Sequence, residues 1–177
     1  MHSADTPFEF RPLSITDMPL LHEWINRPHV AEWWDSPVTL DDVRADFIPC
    51  LADDSDTKVF IACVAGREIG FIQAYVAACS GDGWWPNETD VGVRGIDQFL
   101  ADASALDQGL GSAMIRAFVT HLFADPAVTR IQTDPSPANA RAIRCYEKVG
   151  FRRVGVVVTP DGEALLMKCE RSTLAEP

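Results

Sequence analysis

Leu106-Asp107-Gln108-Gly109-Leu110-Gly111-Ser112 follows an apolar, strand-like run from Val93 to Leu100. It opens a helical pattern that sets Met114, Ile115, Phe118, Val119 and Leu122 on one face. Two glycines one residue apart at a helix start let backbone N–H groups approach an anion without Cβ interference. The first helical turn adds donors that lack intrahelical partners and about half a unit of positive charge. A phosphate is the natural guest of such a loop, over Gln108, Gly109, Leu110, Gly111 and Ser112. The competing reading is a plain loop whose glycines serve tight packing. The stretch is neither a P-loop, lacking Gly-Lys-Ser/Thr, nor a dinucleotide fingerprint, lacking the third glycine.

Working outward, 177 residues suit one domain (1–177), large enough to remove roughly 70% of the unfolded surface from water. A composition of 47% hydrophobic and 23% charged residues is that of a soluble globule. No apolar run approaches the roughly 20 residues of a membrane span, and the N-terminus lacks a basic, apolar signal pattern. A cytoplasmic protein without membrane partners is the expectation. Cys50, Cys63, Cys79, Cys145 and Cys169 are odd in number, irregularly spaced and without a CxxC, which reads as reduced core or near-core thiols. His2, His22, His29 and His121 show no metal-ligand spacing, so no metal is expected. The net charge of −11 argues against nucleic acid, whose phosphates need Lys and Arg. Acidity can serve solubility alone, but Asp82, Glu88, Asp90, Asp97 and Asp134 are read as gathering near one site, a field that would attract a polycation.

Phe8 to Arg11 alternates as a first strand; Thr16 can cap a helix carrying Met18, Leu21, Trp24 and Ile25, ending near Pro28. After the breaker Asp35-Ser36-Pro37, Thr39 caps a second helix through Leu40, Val43, Phe47 and Leu51. Lys58 to Ala65 and Glu68 to Val76 form a hairpin, and Ser80 to Glu88 is a loop rich in Gly, Trp and Pro. Asp90 to Leu100 is a strand, Gln108 to Ala124 a helix, Arg130 to Thr133 a short buried strand, and Ala138 to Val149 a helix stopped by Gly150. Phe151 to Val158 and Ala164 to Glu170 turn at Pro160-Asp161-Gly162. The order is β-α-α-β-β-β-α-β-α-β-β, an α+β fold on a mixed sheet, with frayed ends expected at 1–6 and 172–177.

Pro137-Ala138-Asn139-Ala140-Arg141-Ala142-Ile143-Arg144-Cys145-Tyr146-Glu147-Lys148-Val149-Gly150-Phe151 resembles the signature of the GNAT acetyltransferases, in which an Asn, a Tyr-bearing helix and a closing Gly-Phe flank the acetyl-CoA arm. Gly81-Asp82-Gly83-Trp84-Trp85, Val93-Arg94-Gly95-Ile96-Asp97-Gln98 and Gln132-Thr133-Asp134-Pro135-Ser136-Pro137 are similar to the bacterial aminoglycoside 6'-N-acetyltransferases. The similarity runs from about Phe8 to Lys168. It implies a sheet splayed between its fourth and fifth strands, with the pantetheine arm in the gap. It also implies acetyl-CoA as co-substrate and an aminoglycoside as acceptor, with direct transfer in a ternary complex and antibiotic resistance as the outcome. Either a monomer or a homodimer is compatible with it.

Acetyl transfer to an amine needs a deprotonated nucleophile, a polarised thioester carbonyl and a protonated leaving thiolate. Asp97 sits on the fourth strand beside Ile96 and Phe99, where desolvation would raise its pKa toward that of a useful base; pairing with Arg94 is the alternative. The resemblance points to the same aspartate. Asp82, between two glycines and before Trp84-Trp85, can clasp an ammonium while the indoles offer flat faces to sugars; otherwise it makes an Asx-turn with the tryptophans in the core. Asp134 precedes two prolines that stiffen it; it is a helix-side cap or, by the resemblance, an aminoglycoside-binding aspartate. Trp34, Gln73 and Tyr75 match weaker substrate-wall positions, with Trp33 and Trp34 equally eligible for the cleft. Tyr146 is the candidate general acid toward the coenzyme thiolate, or else a buried helical tyrosine. Asn139 bonds the pantetheine amides or caps the helix from Ala140. The thioester carbonyl would meet a backbone N–H in the Ile96-to-Phe99 strand, at Gln98 or Phe99.

Three departures from the family pattern touch the site. Leu106 stands where the pyrophosphate loop usually carries Gln or Arg, the segment Trp34 to Thr39 is shorter, and Phe47 replaces a tyrosine found in some relatives. Trp84 and Asp161 match positions that are altered in relatives acting on fluoroquinolones, so little such activity is expected here. The competing functions are acylation of another amine, such as a siderophore precursor or a protein N-terminus, and a non-catalytic acyl-CoA-binding or cation-sequestering module.

Overall fold

The computed structural model describes residues 7–35 and 38–175. The strands are β1 (Phe8–Pro12), β2 (Thr57–Val64), β3 (Arg67–Val76), β4 (Val93–Leu100), β5 (Arg130–Thr133), β6 (Arg152–Thr159) and β7 (Gly162–Glu170). The helices are α1 (Met18–Ile25), α2 (Pro28–Ala31), α3 (Leu40–Phe47), α4 (Leu110–Phe123) and α5 (Ala140–Val149). The strands form one seven-stranded mixed sheet in the order β1-β2-β3-β4-β5-β7-β6. The chain divides into two compact units, one running up to Gln73 with Gln98–Leu106, the other Ala74–Asp97 with the chain from Asp107 onward.

In the first unit, Met18, Leu21 and Trp24 of α1, Val30 of α2 and Val43 of α3 bury against Ile61 and Phe71. Trp34 meets Phe71 and Phe99 edge-on, at centroid distances of 5.8 and 5.1 Å. Trp34 is therefore half-buried on this core, whereas Trp33 is 36% exposed. A Cβ on Gly70 would overlap the Phe99 carbonyl, so the bare glycine is what lets β3 and β4 close on each other there. The β2–β3 hairpin turns through Ala65 (φ 50°) and Gly66 (φ 74°), the paired left-handed residues of a tight two-residue turn.

In the second unit, α4 buries Met114, Ile115, Phe118 and Val119, and α5 buries Ile143, Tyr146 and Val149. The parallel β4–β5 ladder is short: Val93↔Arg130, Arg94↔Ile131 and Gly95↔Gln132. At its end the Thr133 hydroxyl donates to the Ile96 carbonyl at 3.2 Å, a side chain doing the work of the next ladder bond. Beyond it β5 stays with β7, through Thr133↔Met167 and then Leu165 N–H to the Pro135 carbonyl at 2.8 Å. Pro135 and Pro137 have no N–H with which to continue toward β4. The sheet thus opens between β4 and β5, as expected.

Several local readings need correction. The first helix is entered not from Thr16 but from Ser14, whose hydroxyl and N–H both reach Asp17 Oδ2, because a 3-10 turn over Ile15–Asp17 precedes it. Pro28 starts a further short helix instead of only ending the previous one; a proline loses nothing at a first helical position. The long helix starts at Leu110, since Gly109 at φ 83° cannot lie inside it. Residues Arg171–Ala175 are a 3-10 helix, not frayed chain: the Arg171 guanidinium clasps the carbonyls of Phe123, Asp125 and Val128 and lies 4.9 Å from the Phe123 ring centroid. Cys79 is exposed, against the near-core reading. The expectations for residues 1–6, for Ser36-Pro37 and for 176–177 lie outside the described residues.

Candidate active site

The register that opens the sheet also places two carboxylates. Asp97 and Asp134 each lie two residues past the last ladder pair, Gly95↔Gln132. Alternate residues of a strand share a face, so Asp97 stands on the face of Gly95, and Asp134, just past the end of β5, lies within electrostatic reach of it. Asp134 is half-buried, and its carboxyl is pushed up to about 8, first by desolvation and then by the charges of Asp97 and Asp161. Arg94, three residues before Asp97, belongs to the opposite face and donates to the Val91 carbonyl at 2.7 Å.

Tyr75 of β3 leans over the same face of β4, for a Cβ on Gly95 would overlap its ring and hydroxyl. Burial raises the Tyr75 phenol well above its ordinary range, reinforced by Asp97 and Asp134. Its oxygen accepts the Trp85 indole N–H at 3.0 Å. Tyr146 comes from α5, is 4% exposed, and packs edge-to-face on Phe151 at 5.2 Å. It also acts electrostatically on Tyr75, as do Asp97 and Asp134, all residues of the second unit.

The loop before β4 turns through left-handed backbone. Gly81, Asp82, Gly83 and Trp85 all have positive φ, from 44° to 87°, and Trp84 N–H closes on the Gly81 carbonyl at 2.9 Å. Gly83 lies against Pro160 of the β6–β7 turn, the turn that carries Asp161. Asp82 is exposed, while Trp84 and Trp85 are half-buried. The other acids of this loop are tied into structure. Glu88 pairs with Arg130 at 2.7 Å, and Asp90 binds the Thr129 hydroxyl and the Gly92 N–H, each at 2.7 Å.

Helix α4 begins at a left-handed Gly109 that supplies no capping side chain, which leaves its first-turn N–H groups to an outside acceptor. The Ser112 hydroxyl in that turn is buried and has no hydrogen-bond partner in the structure. An orphaned donor beside free amides fits a phosphate, so this loop suits the pyrophosphate of a nucleotide coenzyme. Asp107 pairs with Arg141 at 3.2 Å, tying the loop to α5. Asn139 accepts from Ala142 N–H at 3.1 Å and so caps α5.

Among the predicted residues, Tyr75, Asp82, Trp84, Asp97, Asp134, Tyr146, Asn139 and the 108–112 loop belong to the second unit; Trp34, Gln73, Gln98 and Phe99 belong to the first. Phe99 is buried in the core, leaving only its backbone to face a ligand. Gly95 was not singled out from sequence, and Trp85 was read only as a sugar-facing or core indole, not as a partner of Tyr75. No local signal marks them, because their importance lies in meeting one tyrosine from a third segment. Among the described residues, no group of His, Cys, Asp or Glu is arranged to hold a metal ion, and no helix is long and apolar enough to cross a membrane.

Residues 14–159 match the acetyltransferase (GNAT) domain family. The aminoglycoside N(6')-acetyltransferase type 1 of Klebsiella pneumoniae is 54% identical over 154 residues, covering 85% of this chain and 77% of that protein. A kanamycin resistance protein of Rhizobium radiobacter is 67% identical over 84 residues, covering 48% of this chain and 78% of its own. The solved structure of AAC(6')-Ib in complex with ribostamycin and coenzyme A superposes with a TM-score of 0.92 at 50% identity, over 96% of this chain and 97% of that one. Family match, identity and fold agree, and this chain belongs to the GNAT acetyltransferases.

Proposed function

We propose that the protein transfers the acetyl group of acetyl-CoA to the 6'-amine of aminoglycoside antibiotics, in the cytoplasm and directly within a ternary complex, so conferring resistance. The observation that carries this reading is the pair Asp97–Asp134 set at the opening of the sheet beside Tyr75 and Tyr146. Relatives more than 50% identical bear the name aminoglycoside N(6')-acetyltransferase, and structural neighbours were solved with paromomycin, ribostamycin or kanamycin.

Acetyl-CoA supplies an activated thioester, and the chain supplies the rest. The amides of the 109–112 turn and the Ser112 hydroxyl hold the pyrophosphate, and the unladdered edge of β4 past Gly95 offers N–H groups to the thioester carbonyl. Asp97 holds the incoming ammonium and accepts its proton, while Asp134 and Asp82 bind further ammonium groups. Each such pair contributes up to about 4 kcal/mol at about 4 Å and an effective dielectric near 20, before desolvation. Tyr146 donates to the departing thiolate; a thiol of pKa about 8.5 leaves readily, so its gain is modest.

The test is a CoA-release assay across kanamycin-, amikacin- and gentamicin-type acceptors, with a diamine and an N-terminal peptide as controls. Release with the aminoglycosides alone is the expected result. Release with only the controls would transfer the activity to another amine, and no release at all would leave a non-catalytic module.

A further inference from the structure

Two strained or unusual backbone features converge on the Tyr75 hydroxyl. From one side Trp85 reaches it, with its indole Nε1 3.0 Å from Tyr75 Oη. Trp85 holds φ 44°, a left-handed conformation that bulky residues adopt only where the surroundings enforce it. From the other side the ring rests on Gly95, where any Cβ would overlap it. A phenol oxygen that accepts an indole N–H must send its own hydrogen elsewhere, since indole nitrogen only donates. Asp97 follows Gly95 by two residues on the same face of β4, and the charges of Asp97 and Asp134, with Tyr146 of α5, act on this phenol, while the charge of Asp161 in the β6–β7 turn acts on Asp134.

We propose that Trp85 is a positioning residue for acetyl transfer: its indole N–H fixes Tyr75 as a hydrogen-bond donor toward the Asp97–Asp134 pair, with Gly95 as the seat that admits the tyrosine ring. The proposal rests on the reading that these carboxylates receive the acceptor's ammonium groups. An oxygen polarised by an incoming N–H donates its own hydrogen more strongly. Tyr75 thereby favours the ionised carboxylates and holds them in one orientation. Without the indole N–H the phenol rotates freely, and the pair takes up a proton more readily. An indole that only stacked on the acceptor would act independently of the Tyr75 hydroxyl.

The experiment compares four forms with wild type: Trp85→Phe, Trp85 replaced by benzothienylalanine, Tyr75→Phe, and the double variant Tyr75→Phe/Trp85→Phe. Benzothienylalanine keeps the bicyclic shape with sulfur in place of the N–H, so it separates the hydrogen bond from packing. In the ligand-free protein, carboxyl carbon NMR should show the titration of the Asp97–Asp134 pair moving up by about half a pH unit or more in the benzothienyl form. In CoA release with kanamycin, each single Phe variant should lose about 10-fold in kcat/KM, and the double variant should lose no more than Tyr75→Phe alone. An unmoved titration, or losses that multiply in the double variant, would overturn the proposal. A wild type that releases no CoA with any aminoglycoside would remove the functional reading, and the ligand-free titration would still decide whether Trp85 acts on the pair through Tyr75.

Discussion

Asp134 shows how position outweighs residue type. The carboxyl is half-buried, and desolvation first, then the charges of Asp97 and Asp161, favour its protonated form up to about pH 8. An unfolded aspartate titrates near about 3.9, so between roughly pH 4 and 8 the native state binds more protons than the unfolded chain. Stability therefore falls as pH rises through that window. Asp134→Asn removes the penalty. Thermal melts of the ligand-free protein should place the variant several degrees above wild type at pH 8.5, with the gap closing toward pH 4; a pH-independent gap would contradict the placement. Sequence reasoning looked for the desolvated carboxylate at Asp97, judging by its apolar neighbours along the strand. That Asp134 joins it at one site came through the family resemblance, because the register between strands is a fact that no single segment encodes.

At the scale of elements, caps and turns were legible because their causes are local. Thr39 with Asp42, Gly150 at φ 115° and the Pro160-Asp161 turn sit where turn and cap chemistry puts them. The splay was legible only through the family resemblance, because it depends on Thr133 reaching Ile96 and Pro135 pairing with Leu165 across the chain. Asn139 illustrates a residue read two ways. It caps α5, so Asn139→Ala should cost about 1 kcal/mol, or roughly 3 °C in Tm. Asn139→Asp keeps the cap acceptor and loses the amide donor. If Asn139 also bonds the pantetheine arm, this variant should melt like wild type yet show a raised KM for acetyl-CoA; an unchanged KM would confine the residue to capping. Gly109 has open space around its missing Cβ within the protein, so against the protein itself only its left-handed conformation calls for glycine. Gly109→Ala should cost about 1 kcal/mol through its left-handed backbone and weaken acetyl-CoA binding in step.

For the molecule as a whole, the net charge of −11 is a long-range statement about its partner. A polycation approaching this surface is steered by a field that salt screens over about 8 Å at physiological ionic strength. Raising salt from about 50 to 300 mM should therefore lower kcat/KM for kanamycin severalfold while leaving kcat nearly constant. A flat salt response would restrict the charge to solubility. Local chemistry and global field meet at one pair of side chains, and substitution of Asp97 addresses them most directly. In CoA-release kinetics with kanamycin, Asp97→Asn should lower kcat/KM by about 100-fold or more, with the acetyl-CoA Kd held within about twofold of wild type. Turnover near the wild-type value in that variant would contradict the account.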